Sequence, residues 1–200
     1  IMTQAPRFQL PALALVAALG APPMAQETVT VVIETTAGTI EVALDPGRAP
    51  GTVANFLHYV DEGLYDGGRF HRAVRQDNQV RRDVTIEVIQ GGRDPAQAKT
   101  RPGFGAIRLE RTSVTGLRHV DGAISMARST ADSASSDFFI CIGDQPSLDF
   151  GGARNEDGQG FAAFGRVVRG IDVVGAIQGS ATNDREQLLA PVTIVRIARR

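Results

Sequence analysis

Residues 28–44 read Thr-Val-Thr-Val-Val-Ile-Glu-Thr-Thr-Ala-Gly-Thr-Ile-Glu-Val-Ala-Leu. Val29, Val31 and Ile33 fall two apart, and after Ala37-Gly38 so do Ile40, Val42 and Leu44. A strand repeats its side-chain direction every second residue, so each run lays an apolar row on one face, and the glycine supplies the turn of a β-hairpin. Asp45-Pro46-Gly47 then breaks the chain. Pro50 suits the first position of a helix, and Val53, Phe56, Leu57 and Val60 form the apolar stripe that follows it, stopped at Gly63. Further strands are expected at 69–74, 85–91, 123–126, 137–142, 162–167 and 192–198, with a second helix at 171–177. Eight strands and two helices without a βαβ rhythm give a mainly β fold, a closed eight-stranded antiparallel barrel capped by two α-helices.

Composition narrows the function. The chain has 200 residues, of which 42% are hydrophobic and 22% charged, the balance of a globular domain. Lys+Arg 21 against Asp+Glu 22 leaves a net charge of -1, which speaks against nucleic acid or an anionic membrane as partner. Cys141 is the only cysteine, so a disulfide within the chain, a CxxC pair and a multi-cysteine zinc site are excluded. Arg7 followed by the apolar run 10–19 and a small-residue exit reads as a signal peptide over residues 1–25, cleaved after Ala21 or Ala25. The apolar run is too short to span a bilayer. The rest, 26–200, reads as one domain, exported to the periplasm or secreted, with no stable membrane insertion once the signal is removed. Cys141 there reads as a buried small hydrophobe.

The usual catalytic strings are missing. There is no Gly-x-Ser-x-Gly and no phosphate-cradling loop, and His58, His71 and His119 lack metal-ligand spacing. Asn155-Glu156-Asp157-Gly158 is half of a calcium loop and reads as a solvated turn. His71 reads as structural, and His58 faces solvent. In Asp137–Ile142, inward Phe138, Ile140 and Ile142 force Phe139 outward beside Asp137 and Cys141. An outward Phe needs a cover, either a loop or a ligand, and taken alone the loop is the commoner answer. Ile86, Val88 and Gln90 share a face, and Phe70 shares one with Arg72. The residues alone lead to an exported barrel with an apolar groove edged by Arg and Gln.

Five separated strings carry a further reading: Phe70-His71-Arg72, Gln90-Gly91-Gly92, Gly122-Ala123-Ile124-Ser125-Met126-Ala127, Asp137-Phe138-Phe139-Ile140-Cys141 and Phe164-Gly165-Arg166-Val167. Their order and spacing, with Thr52-Val53-Ala54-Asn55-Phe56 in the first helix, resemble the cyclophilins over residues 28–198, most of all the bacterial exported branch. The resemblance implies a peptidyl-prolyl cis–trans isomerase assisting the folding of exported proteins. It implies no cofactor and no metal, and a monomer whose partners are proline-containing polypeptides. By motif position Arg72 and Gln90 are the catalytic pair. Val88, Phe139, Leu148 and Phe161 form the proline socket, and Ala127 and Arg128 lie where the substrate backbone pairs. A catalytically silent proline-peptide-binding module or chaperone on the same barrel is the competing reading.

The departures from the family pattern also carry expectations. About ten extra residues within 74–86 separate Arg72 from Gln90, and Glu87 stands where the family has a Phe, with Ile86 as its substitute in the wall. Ser147 replaces a Trp or Phe, which implies weak cyclosporin binding. Arg128 and Asp137 replace neutral amides and are expected to pair across the groove, with Asp137 contacting substrate.

Overall fold

The stretch 28–44 folds as the expected hairpin, β1 (Val29–Thr35) against β2 (Gly38–Leu44), in a computed structural model that describes residues 28–200. The expected signal segment, 1–25, lies outside the described residues. Thr35 pairs with Gly38, and the Thr35 hydroxyl donates to the Gly38 carbonyl at 2.7 Å, closing the turn. Val31, Ile33, Ile40, Val42 and Leu44 all point into the core and are fully buried.

Six more strands follow: β3 (Arg69–Val74), β4 (Val88–Gly92), β5 (Ala123–Met126), β6 (Phe138–Cys141), β7 (Ala162–Arg169) and β8 (Gln187–Arg199). They are ordered β1-β2-β7-β5-β6-β4-β3-β8, and β8 returns to β1, so the antiparallel sheet is closed. Helix α1 (Pro50–Asp61) follows β2 and buries Val53, Phe56, Leu57 and Val60 against the barrel interior. Phe56 meets Phe138 edge-on, with ring centroids 5.6 Å apart. Glu110, remote in sequence, accepts from the amides of Gly51 and Thr52 at 3.0 and 2.8 Å, satisfying donors that open a helix. Two short helices, α2 (Pro95–Thr100) and α3 (Thr112–Thr115), lie in the β4–β5 connection. Helix α4 (Ile171–Gln178) buries Val174 and Ile177 at the other end of β2, where Val173 abuts Gly38. Among the described residues no helix is long and apolar enough to cross a membrane.

The last strand begins at Gln187 and not at residue 192, and α2 and α3 are additional to the two expected helices. Two further expectations need correction. The fourth strand begins at Val88 and not at residue 85. The amide of Ile86 is taken by the side-chain oxygen of Gln79 at 2.9 Å, so it is satisfied without a ladder partner. Phe70 and Arg72 do not share a face. The β3–β4 register runs Phe70↔Gly91 and then Arg72↔Gln90, so His71 is an extra residue in a bulge. Phe70 is buried in the barrel interior, whereas Arg72 emerges on the outer wall.

Candidate functional site

Alternation and register together place the outer wall. Phe138 and Ile140 belong to the interior cluster, while Phe139 and Cys141 join a second cluster with Val74, Ile86, Val88, Ala123, Leu148 and Phe161. Register then aligns Arg72 with Gln90, Gln90 with Phe139, and Phe139 with Ser125 across four strands. A charged donor, an amide, an aromatic ring and a hydroxyl therefore lie in one row across the barrel.

Arg72, Gln90, Val88, Ala127, Arg128, Phe139, Leu148 and Phe161 border one cavity of about 340 Å³ on that wall. Phe139 and Phe161 meet edge-on at 5.4 Å between centroids, and the Arg128 guanidinium lies 5.1 Å from the Phe161 ring centre. Ile86 takes the wall position left open by Glu87, whose side chain turns toward Gln178 of α4. Ser147 does not border the cavity. Gly160, at φ +66°, lets the 150–160 loop return against Asp149, where a Cβ would lie 2.5 Å from a backbone carbon. That return allows the Phe161 amide to bond the Leu148 carbonyl at 2.9 Å and brings both side chains to the socket.

Asp137 is the exception among the expected site residues. It borders a neighbouring cavity of about 540 Å³ together with His71, Arg69 and Arg93. Its carboxylate lies so close to β4 that a Cβ on Gly92 would sit 2.2 Å from Oδ1, which accounts for the glycine there. Burial holds the Asp137 carboxyl above the usual range, and burial likewise holds the His71 imidazole below its own. The expected Arg128–Asp137 pair does not form. Arg128 makes two bonds to Asp157 at 2.8 and 2.9 Å, and its Nε donates to the Gly160 carbonyl at 2.7 Å. The 150–160 loop, folding back onto the wall, reaches the guanidinium before Asp137 can. These bonds from Arg128, with the Gln159 amide, pull the Asp157 carboxyl down to about 2. The half calcium loop thus has its carboxylate occupied by an arginine.

Glu186 was not legible in the sequence as part of the site. It is buried, sits at φ +62°, and accepts from both Nε and Nη2 of Arg72, the former at 2.9 Å. Its second oxygen accepts from the Val80 amide at 2.9 Å. Nη1 of Arg72 donates to Gln90 Oε1 at 2.9 Å, and the Gln90 side chain bonds Asp137 in turn. Burial works to raise the Glu186 carboxyl, but the Val80 amide and Arg72 outweigh it and hold it below the usual range. A guanidinium carries five N–H bonds. Three are engaged here, leaving one on each Nη for an incoming group.

Beneath Phe139 lies a Ser-His-Asp line. His119 contacts Asp149 through Nδ1 at 2.8 Å and Ser125 Oγ through Nε2 at 2.9 Å. The arrangement has the order of a hydrolase triad, but Ser125 is fully buried and His119 is covered by the Phe139 ring. A nucleophile has to reach its substrate, so this line is a brace that fixes the Leu148–Asp149 turn under the socket. Burial pushes the Asp149 carboxyl up, but the His119 ring and amide pull it lower still, so its folded value lies below the ordinary one. A depressed carboxylate stabilises the fold above its unfolded pKa, near 3.9, and that stabilisation is lost as pH falls through the folded value. Asp149→Asn is therefore expected to lower stability at pH 7 by about 1–2 kcal/mol and to flatten the decline below about pH 4. Unfolding midpoints across pH 2–8 check this, and superimposable profiles of the two proteins would remove the brace.

The chain is similar to known proteins over most of its length. The model of the cyclophilin type peptidyl-prolyl cis-trans isomerase/CLD family matches residues 30–199. Peptidyl-prolyl cis-trans isomerase A of Dickeya dadantii is 37% identical over 155 residues, covering 77% of this chain and 73% of that protein. Peptidyl-prolyl cis-trans isomerase B of Escherichia coli is 35% identical over 153 residues, 76% of this chain and 85% of its own. A Cryptosporidium parvum cyclophilin type isomerase structure superposes with a TM-score of 0.69 at 20% identity, covering 87% of this chain and 98% of that one. The same protein has been solved in the presence of the dipeptide Ala-Pro.

Proposed function

The chain belongs to the cyclophilin family, and on that premise we propose that it accelerates cis–trans isomerisation of Xaa-Pro bonds in exported proteins as they fold. The observation that carries the reading is the sharing of one open cavity by Arg72, Gln90 and Phe139. The exported setting is supported by the 1–25 pattern of one basic residue and a short apolar run.

An amide resists twisting by about 18–20 kcal/mol because nitrogen shares its lone pair with the carbonyl. An X-Pro bond left alone takes tens to hundreds of seconds. Acceleration of ~10⁵-fold requires lowering the barrier by roughly 7 kcal/mol. No bond other than hydrogen bonds needs to form. Phe139, Leu148, Val88 and Phe161 grip the proline ring. As the bond twists, the nitrogen pyramidalises and its lone pair localises. The free N–H bonds of Arg72 are placed to donate to that lone pair, a contact without a counterpart in the planar ground state and hence catalytic. Gln90 and Glu186 hold the guanidinium in place, so little orientation remains to be lost during the twist.

The Arg72–Glu186 pair is the one feature that favours a silent binding module, since a carboxylate partly cancels the guanidinium's field. Two unengaged N–H bonds favour the enzyme. A protease-coupled assay on an Ala-Pro peptide separates the two, and traces matching the uncatalysed rate would leave only the binding module. Phe139→Ala is expected to raise KM about 10-fold while the barrel's circular dichroism persists, because the ring belongs to the outer cluster and not the interior one. Loss of the native spectrum in that variant would instead make Phe139 a residue on which folding depends.

A further inference from the structure

Three guanidinium groups border the cavity, and one of them has no acid. Arg72 is held by Glu186, and Arg128 by Asp157. Arg154, on the 150–160 loop, donates through Nη1 to the Val84 carbonyl at 2.6 Å and to the Gln79 amide oxygen at 3.5 Å, and no Asp or Glu pairs with it among the described residues. Of the acids nearby, Glu186 is already engaged by Arg72 and the Val80 amide, Asp83 by Arg81 and Asp157 by Arg128, and Glu156 is exposed and borders the adjoining hollow. Burial and the proximity of Arg72 oppose the Arg154 charge more than Glu186 and Asp83 support it, yet a guanidinium does not give up its proton in a protein. The adjacent residue adds a second demand. Asn155 also borders the cavity, and its Nδ2 is buried without a hydrogen-bond partner, as is Nε2 of Gln79 beside Arg154. A buried donor without a partner carries a desolvation penalty until an acceptor arrives.

An unpaired cation and the orphaned Asn155 donor, both bordering the apolar socket, are together satisfied by a group that only accepts hydrogen bonds and is negatively charged. We infer that Arg154 and Asn155 form a subsite for an acidic side chain flanking the proline of the bound peptide, an inference that rests on the isomerase reading of the same cavity. The two long loops build it jointly. The Arg81 guanidinium donates to the Arg154 carbonyl at 2.5 Å while Arg154 reaches back to Val84, so each loop holds the other over the rim.

The test compares Glu with its uncharged isostere Gln, placed before or after proline in otherwise identical peptides. At low ionic strength the Glu peptide is expected to exceed the Gln peptide in kcat/KM by about 10-fold at one of the two positions. The ratio should fall toward one in 0.5 M salt, where screening acts over about 4 Å, and also in Arg154→Gln. The ratio is taken within each protein, so a change in overall activity does not affect it, and the salt series on the unmodified chain stands even if the variant folds poorly. Parity of Glu and Gln at both positions, or a preference that survives Arg154→Gln, overturns the subsite. Should the neutral Ala-Pro peptide itself not be accelerated, the isomerase reading fails separately. The Glu/Gln ratio is then read as a ratio of Kd values with fluorescently labelled forms of the same peptides.

Discussion

Arg72→Ala is expected to lower kcat/KM on an Ala-Pro peptide by about 100-fold, or ~2.7 kcal/mol of transition-state stabilisation. Arg72 is a donor at the reacting atom whose bond strengthens only as the nitrogen pyramidalises, so the loss should fall mainly on kcat. The substitution also leaves the Glu186 carboxylate buried without its cation, with the Val80 amide as remaining partner. Some loss of thermal stability should therefore accompany the loss of rate. Arg72→Lys keeps a charge near Glu186 but has no fork to span Glu186, Gln90 and a substrate nitrogen at once, so it should recover stability more than rate. A variant within about 3-fold of the parent would remove Arg72 from the mechanism and leave the apolar socket as the sole source of catalysis.

Glu186→Ala is expected to act through Arg72. Its side chain is 4% exposed and Arg72's is 25% exposed, so the pair lies well below the surface regime in which ion pairs contribute almost nothing. Removing one partner of a pair this buried should destabilise by about 2 kcal/mol, below the range for fully buried pairs because Arg72 keeps some water. For a domain of this size that corresponds to a fall of roughly 6 °C in Tm. With Nε and Nη2 released, the guanidinium swings on Gln90 alone, so kcat should drop by about 10-fold with KM little changed. Glu186→Gln retains an oxygen acceptor and should restore part of kcat. Equal losses in kcat and KM, or no rescue by Gln, would mean that Glu186 serves only the 75–86 loop.

Short-range patterns were readable where they depend on alternation. Val31 and Ile33 against Ile40 and Val42, and Phe138 against Phe139, follow from side-chain period alone, and the closed barrel follows from the number of such runs. The bulge at His71 leaves no mark in a period-2 pattern, because one extra residue changes the phase of a strand without changing its composition. Arg72 was therefore expected on the same face as Phe70, which the bulge separates from it. Resemblance nominated it for the site all the same. Asp137 and Arg128 were matched by position, and only the path of the 150–160 loop decides that Asp157 reaches Arg128 first. Glu186 and Arg154 were invisible for a similar reason. Each sits in an irregular segment, and each acquires its role from a partner brought close by the fold, Arg72 in one case and Val84 in the other.

The sheet separates two apolar populations by the thickness of a single strand. Ile140 and Phe138 keep the molecule folded, while Phe139 and Cys141, their immediate neighbours in sequence, face the other way. Altering what the wall accepts therefore need not disturb what the interior holds. A library randomised at Ile86, Ala127 and Phe161 should yield mostly folded barrels with changed appetites, whereas the same diversity at Ile89, Met126 and Phe164 should yield mostly unfolded chains. Taste and integrity are written on alternate residues, which makes the outer wall open to redesign.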